Sequence, residues 1–289
     1  MSRAYRLKRG EPVPEGVARI ARGRIDHAID ALTDATEEGV HEARKDMKKL
    51  RALLRLVRGE IGEKVFRREA DTFRDAAREL SGVRDADVML ATLAELEKRY
   101  PDELSAAETG PIRQALRAHR LGTAGGGRQQ AAKAAIKVLS DARGRVADWP
   151  LERHGFEALE DGLKRSYRRG RRDWRAAAKD PSTENLHEWR KRAKDLWYHC
   201  SILEETWKPV MSALAGEAHE LSDRLGDDHD LALLLAFGAE PLEPLIARRR
   251  RELQEEAFGY GARLYVDRPK TFVSRIEHWS RPVLIPSST

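Results

Sequence analysis

One basic pattern occurs twice in the chain. His41-Glu42-Ala43-Arg44-Lys45-Asp46-Met47-Lys48-Lys49-Leu50 returns 146 residues later as His187-Glu188-Trp189-Arg190-Lys191-Arg192-Ala193-Lys194-Asp195-Leu196. Arginine forks two hydrogen bonds onto a carboxylate or phosphate, and lysine adds a compact point charge. Histidine can donate to an anion, more strongly as pH falls. The chemistry on offer is therefore anion binding. Positions three and four apart share a helix face. His41, Arg44, Lys45, Lys48, Arg51, Arg55 and Arg58 then form one stripe, with Met47, Leu50, Leu54 and Val57 on an apolar stripe beside it. From His41 to Arg55 the basic face runs about 21 Å at the usual helical rise. Residues 41 to 58 hold seven Lys or Arg against two acids, a local charge of +5 beside +6 for the whole chain. The second copy presents His187, Arg190, Lys191, Lys194 and Tyr198 on its matching face.

A charge run is more often a solvated face than a site. Repetition shifts that balance, because a solvated face has no reason to keep Arg, Lys and Lys at matched positions. At the same offset Arg19 pairs with Arg165 and Arg22 with Arg168. Lys164 to Arg172 carry six cations in nine residues, Arg169 and Arg172 among them. At an offset of 145, Arg84-Asp85 matches His229-Asp230. Asp85, Asp87, Asp227, Asp228 and Asp230 follow turn signals, so helix N-capping explains them better than cation binding. Their placement holds Arg84 and His229 at helix starts, beside the basic faces. His41 and His187 are either ligand donors or structural hydrogen-bonding residues.

Other chemistries lack their parts. The nine histidines form no His-x-x-x-His pair and no His-Glu-x-x-His, so no metal and no cofactor is expected. There is no phosphate loop, no dinucleotide fingerprint and no Gly-x-Ser-x-Gly elbow. Phosphoryl transfer needs carboxylates for Mg²⁺ beside the cations, and here acids are scattered. Cys200 is the single cysteine, which excludes an intrachain disulfide. No apolar run suits a signal peptide or a membrane span, so a cytoplasmic location is the expectation.

The elements that must position these residues are helices. Of 289 residues, 35% are charged, 40% hydrophobic and 6% aromatic. That suits helices with one apolar stripe and wide charged faces. Apolar residues recur at helical spacing almost throughout, as in Ala21, Ile25, Ala28, Ile29 and Leu32. Breakers such as Gly62, Gly110-Pro111, Trp149-Pro150, Pro209, Gly226 and Pro269 divide the chain into roughly ten or eleven helices. The repeat divides it into an N-terminal segment 1–14, a first unit 15–149, a second unit 150–280 and a tail 281–289, with the join near Trp149-Pro150.

Several motifs fall in one order along the chain. They are His41-x-x-Arg44-Lys45-x-x-Lys48-Lys49-Leu50-Arg51, Leu80-Ser81-Gly82-Val83-Arg84-Asp85, Tyr167-Arg168-Arg169-Gly170-Arg171, His187-x-x-Arg190-Lys191-x-x-Lys194, Leu225-Gly226-Asp227-Asp228-His229-Asp230 and Arg268-Pro269-Lys270-x-Phe272. In this the chain resembles the CHAD domain, the histidine-containing α-helical domain. The resemblance implies an all-α fold of two pseudo-twofold-related helical-bundle repeats around a central basic groove or pore. It implies binding of inorganic polyphosphate, association with polyphosphate granules, and Lys270 as a further contact. Some relatives carry a CYTH triphosphatase domain ahead of this one, and with only about fifteen residues before the first helix that domain is not expected here. One departure is Trp197, where the family commonly has Arg and the first copy has Arg51.

The leading expectation is a non-enzymatic polyphosphate binder. Nucleic-acid binding is the alternative, since the same cations would hold a phosphodiester backbone. Single-strand binders add stacking aromatics, and the basic stripes offer little beyond Tyr167 and Tyr198. A hydrolase of phosphate chains is the third reading. Sequence leaves the oligomeric state open.

Overall fold

In a computed structural model the structure describes residues 5–80, 85–123 and 127–284. These residues form eleven α-helices and three short 3-10 turns, with no strand among them. The helices are α1 (Val13–Leu32), α2 (Glu37–Leu56), α3 (Arg58–Glu79), α4 (Asp85–Arg99), α5 (Ala106–Thr123), α6 (Gly127–Arg145), α7 (Glu157–Lys179), α8 (Thr183–Ile202), α9 (Lys208–Gly238), α10 (Glu243–Leu264) and α11 (Pro269–Leu284). The all-α fold read from the sequence is the fold observed.

The doubled pattern lies on α2 and α8, which start and stop alike. Thr36 Oγ1 accepts from Gly39 N–H at 3.0 Å, and Ser182 Oγ accepts from Asn185 N–H at 3.4 Å. Such a cap satisfies a backbone donor that the first helical turn leaves open. Both helices end on an apolar residue of similar backbone angles, Val57 (φ −97°, ψ 9°) and Leu203 (φ −92°, ψ 12°). All three matched pairs keep the 146-residue offset.

Apolar burial gathers the helices into two clusters, and neither belongs to one half of the sequence. The larger joins Ile20, Ile25, Met47, Leu50 and Leu54 to Tyr167, Trp189, Leu221 and Phe272, running through Trp149 and Phe156 at the join. The smaller holds Leu93, Leu96 and Leu116 of α4 and α5 against Leu231, Leu234, Ile246 and Leu253 of α9 and α10. Helix α7 crosses the end of α2 at a close approach. A Cβ on Gly162 would lie 1.8 Å from the Leu56 carbonyl oxygen, so only glycine fits there.

Two breakers behave otherwise than expected. Pro111 lies inside α5, which continues through it at the loss of one intrahelical hydrogen bond. Gly226 lies inside the unbroken α9. Asp227, Asp228 and Asp230 are accordingly mid-helix residues and not N-caps. Asp228 is buried and accepts from Arg250 Nε at 3.0 Å and Gln254 Nε2 at 2.7 Å. Among the described residues no three His, Cys, Asp or Glu side chains converge as a metal site would require.

Buried ions lock α1 to α2 and α7 to α8, with opposite signs. Asp46 on α2 sits against Arg24 (3.1 Å), His27 (2.5 Å) and Lys49 (3.5 Å). At the matching position of α8 stands Arg192, held by Asp195 (2.9 Å) and Asp173 (3.9 Å). Asp46, His27 and Lys49 become Arg192, Asp173 and Asp195 at one offset of 146, so the charges of Asp46 and Lys49 invert, a carboxylate replaces His27, and the attraction survives. Removing one member of a buried pair strands the other charge. Asp46→Ala should therefore lower stability by about 3–5 kcal/mol in urea unfolding, whereas replacing Arg24 and Asp46 together by Met and Leu should recover most of it. A loss below about 1 kcal/mol in the single variant would mean that Arg24 finds other compensation.

A cationic cavity between two helices

Helices α2 and α8 bring the two copies of the basic pattern to opposite walls of one cavity of about 390 Å³. Helix α2 supplies Lys48, Arg51 and Arg55, spaced to share a face. Helix α8 supplies His187, Glu188, Arg190, Lys191, Arg192, Lys194, Asp195 and Tyr198. Seven Lys or Arg thus face two carboxylates, and both carboxylates are engaged. Asp195 is buried and accepts from Arg55 Nη1 at 3.0 Å and Arg192 Nη1 at 2.9 Å. Glu188 pairs with Lys191 at 2.5 Å, as Glu42 pairs with Lys45 at 2.8 Å in the other copy.

The remaining cations crowd one another. Arg51 Nε and Arg190 Nε are buried without a hydrogen-bond partner. Burial, and then the neighbouring Arg55, holds the Arg51 guanidinium down to about 10. Burial also depresses His187, with His229, Lys191 and Arg190 adding to the effect, and its imidazole falls to about 4. His229 comes from α9, and its ring centroid lies 4.5 Å from that of His187. Burial and Arg190 lower its affinity for a proton too, and its Nδ1 is buried without a partner. Gly226 lies at this corner, where an added Cβ would stand 3.0 Å from Arg190 Nη2.

Eight of the sequence-predicted residues line the cavity: Lys48, Arg51, Arg55, His187, Arg190, Lys191, Lys194 and Tyr198. His229 joins them through His187, not from a helix start. Sequence reasoning missed Arg192 and Asp195 as wall residues, because a periodic reading of charge assumes that charge faces water. His41, Arg44 and Lys45 lie on the earlier turns of α2 and are not among these lining residues, with Arg44 Nη1 donating to the Leu80 carbonyl at 3.4 Å. Arg84 lies outside the described residues.

The rest of the predicted set stands elsewhere. Arg19 is tied to Glu11 at 2.6 Å and to the Arg6 carbonyl at 2.8 Å, and Arg22 lies one turn further along α1. Arg165, Arg168 and Arg172 are exposed on α7. Arg169 is half-buried where Arg192, Asp173 and Arg172 act on it. Lys270 lines a separate depression on α11 with Arg275, His278 and Trp279. Tyr167 is a core residue. Its hydroxyl donates to the Leu264 carbonyl at 2.9 Å, and its ring stacks on Phe272. Trp197 turns out of the cavity, 4.7 Å from the Tyr198 ring and edge-on to His219 at 3.9 Å. Arg51, its match in the first copy, turns in.

The family model of the CHAD domain matches residues 19–239, from α1 through α9. The chain belongs to the CHAD family. Among solved structures it resembles the crystal structure of the CHAD domain from the plant Ricinus communis, at 14% identity, over 97% of this chain and 96% of that one, with a TM-score of 0.55. That likeness is one of fold. No curated protein matches the chain at a significant level. In this CHAD domain no described helix is long and apolar enough to cross a membrane.

The position of His187 has a measurable consequence. Its folded-state proton affinity lies below the unfolded value, so between pH 6.5 and about 4 the unfolded chain binds the extra proton. Stability should fall as pH drops through that window, without added anion. His187→Gln should flatten the fall in melting temperature between pH 7 and pH 5. Equal slopes for the two proteins would mean that His187 titrates as an open imidazole.

Proposed function

We propose that this CHAD domain binds inorganic polyphosphate in the cavity between α2 and α8 and does not turn it over. The observation that carries this reading is the charge inventory of the cavity. Its carboxylates are already engaged by Arg55, Arg192 and Lys191, and Arg51 and Arg190 keep buried donors without partners. A chain of phosphates supplies acceptors on every side and brings no bases to stack. The aromatics agree with that preference. Tyr198 is buried, packed on Trp197 and edge-on to Tyr5 at 5.9 Å, so the cavity offers no open stacking platform for a nucleobase. With Asp195 and Glu188 neutralised in place, no carboxylate of the cavity is left to serve as a base. Association with polyphosphate granules in the cell would follow from such binding.

Labelled polyphosphate should stay bound when DNA or RNA is added at matched phosphate concentration. Displacement by nucleic acid would replace this reading with backbone binding. Replacing Lys48, Arg51, Arg190 and Lys194 together by Ala should weaken binding at least about 100-fold, since each charge-assisted bond is worth roughly 1.5–3 kcal/mol. Helical circular dichroism should be unchanged. Purified protein incubated with polyphosphate and Mg²⁺ should release no orthophosphate, and steady release would make the domain a hydrolase.

A further inference from the structure

Arg165, Arg168, Arg172, Arg175 and Lys179 follow one another along α7 at intervals of three and four residues. All five are exposed. At helical rise they make a ridge about 21 Å long with a cation roughly every 5 Å. Arg172 pairs with Asp173 at 2.7 Å. Among the described residues no ion pair or hydrogen bond engages Arg165, Arg168, Arg175 or Lys179. Several exposed arginines on other helices do meet a carboxylate, among them Arg67, Arg74, Arg143 and Arg263. Among the described residues, Arg172 with Asp173 is the single member of this row set against a carboxylate.

The ridge is linked to the cavity. Asp173 on α7 reaches Arg192 on the cavity wall, which brings the two helices together at that level. Arg169 stands between, under the charge of Arg192 on one side and Arg172 on the other. A cavity of about 390 Å³ has the size of a small-molecule site and holds only a short stretch of a polymer. A long chain must continue over the surface, where an unneutralised row of cations would hold it.

We propose that the exposed face of α7 is a second anion track, which takes the length of a polyphosphate chain that the cavity cannot contain and so makes affinity depend on chain length. This rests on the polyphosphate reading of the cavity, and the two can fail separately. The full-length chain carrying Arg165→Ala, Arg168→Ala, Arg175→Ala and Lys179→Ala would be titrated with tripolyphosphate and with long-chain polyphosphate, beside the wild type. The track predicts a loss of roughly tenfold or more for the long chain and a change within about twofold for tripolyphosphate. The salt slope for the long chain should fall by about 0.7 per lost contact. A variant with Arg165, Arg168 and Arg175 changed to Lys should keep long-chain binding, which separates charge from folding. Unchanged long-chain affinity in the Ala variant overturns the track and leaves the cavity standing. An equal loss for both ligands, or an equal loss in the Lys variant, overturns it as well. A wild type that binds neither ligand overturns the reading of the cavity.

Discussion

Asp195 is the carboxylate on which the rest of the site depends. It is buried at the base of the cavity and takes hydrogen bonds from Arg55 of α2 and Arg192 of α8. Through Arg192 it also connects to Asp173 of α7. Three helices are thereby set at fixed distances by one ion network. Because burial makes such a network costly unless its members satisfy one another, its geometry is tightly constrained. Asp195 also settles the sign of the cavity. It holds Arg55 and Arg192 directly, and one carboxylate does not balance the further cations of the lining, Arg51 and Arg190 among them.

The inverted clusters show how a duplicated pattern can diverge without losing its fold. The α1–α2 contact places a carboxylate on the inner helix among cations, and the α7–α8 contact places a guanidinium among carboxylates. Either arrangement ties the pair together. Only the second leaves an acid at the level of the groove, and that acid reaches across to Arg55. The two walls are consequently unlike. Arg51 enters the cavity from α2, whereas its counterpart Trp197 leaves it, and α8 contributes Tyr198 where α2 has Ala52. The loss of a cation at 197 therefore takes nothing from the lining.

Much of this was legible in the sequence. Apolar spacing gave the helices, and the doubled basic pattern picked out α2, α8 and most of the cavity. What escaped did so for physical reasons. Arg192, Asp195 and Asp173 are charged residues placed inside, where a pattern rule puts leucine. Gly226 reads as a breaker, but α9 continues through it with the Arg190 guanidinium close by. That continuity puts Asp227, Asp228 and Asp230 in the middle of a helix and not at a cap. Arg19 follows the 146-residue offset and Lys270 the motif order of the family, but neither lines the cavity: one is held by Glu11, the other lies on α11. Sequence order groups residues along a line, and only the crossing of helices decides which lines meet.

A cluster of like charges inside a folded protein works against folding unless something offsets it. The depressed Arg51 and His187 are the imprint of that opposition. If stability were the whole requirement, acids would be the simple remedy, and this chain uses them freely elsewhere: its surface arginines are paired turn after turn, as in Arg74 with Asp71 and Asp75. Acids near the groove are instead used up in holding its frame. A groove kept short of anions by its own architecture would be stabilised by an anion from outside. Under the polyphosphate reading, an entering chain would raise the affinity of His187 and His229 for protons and so draw further positive charge to the wall.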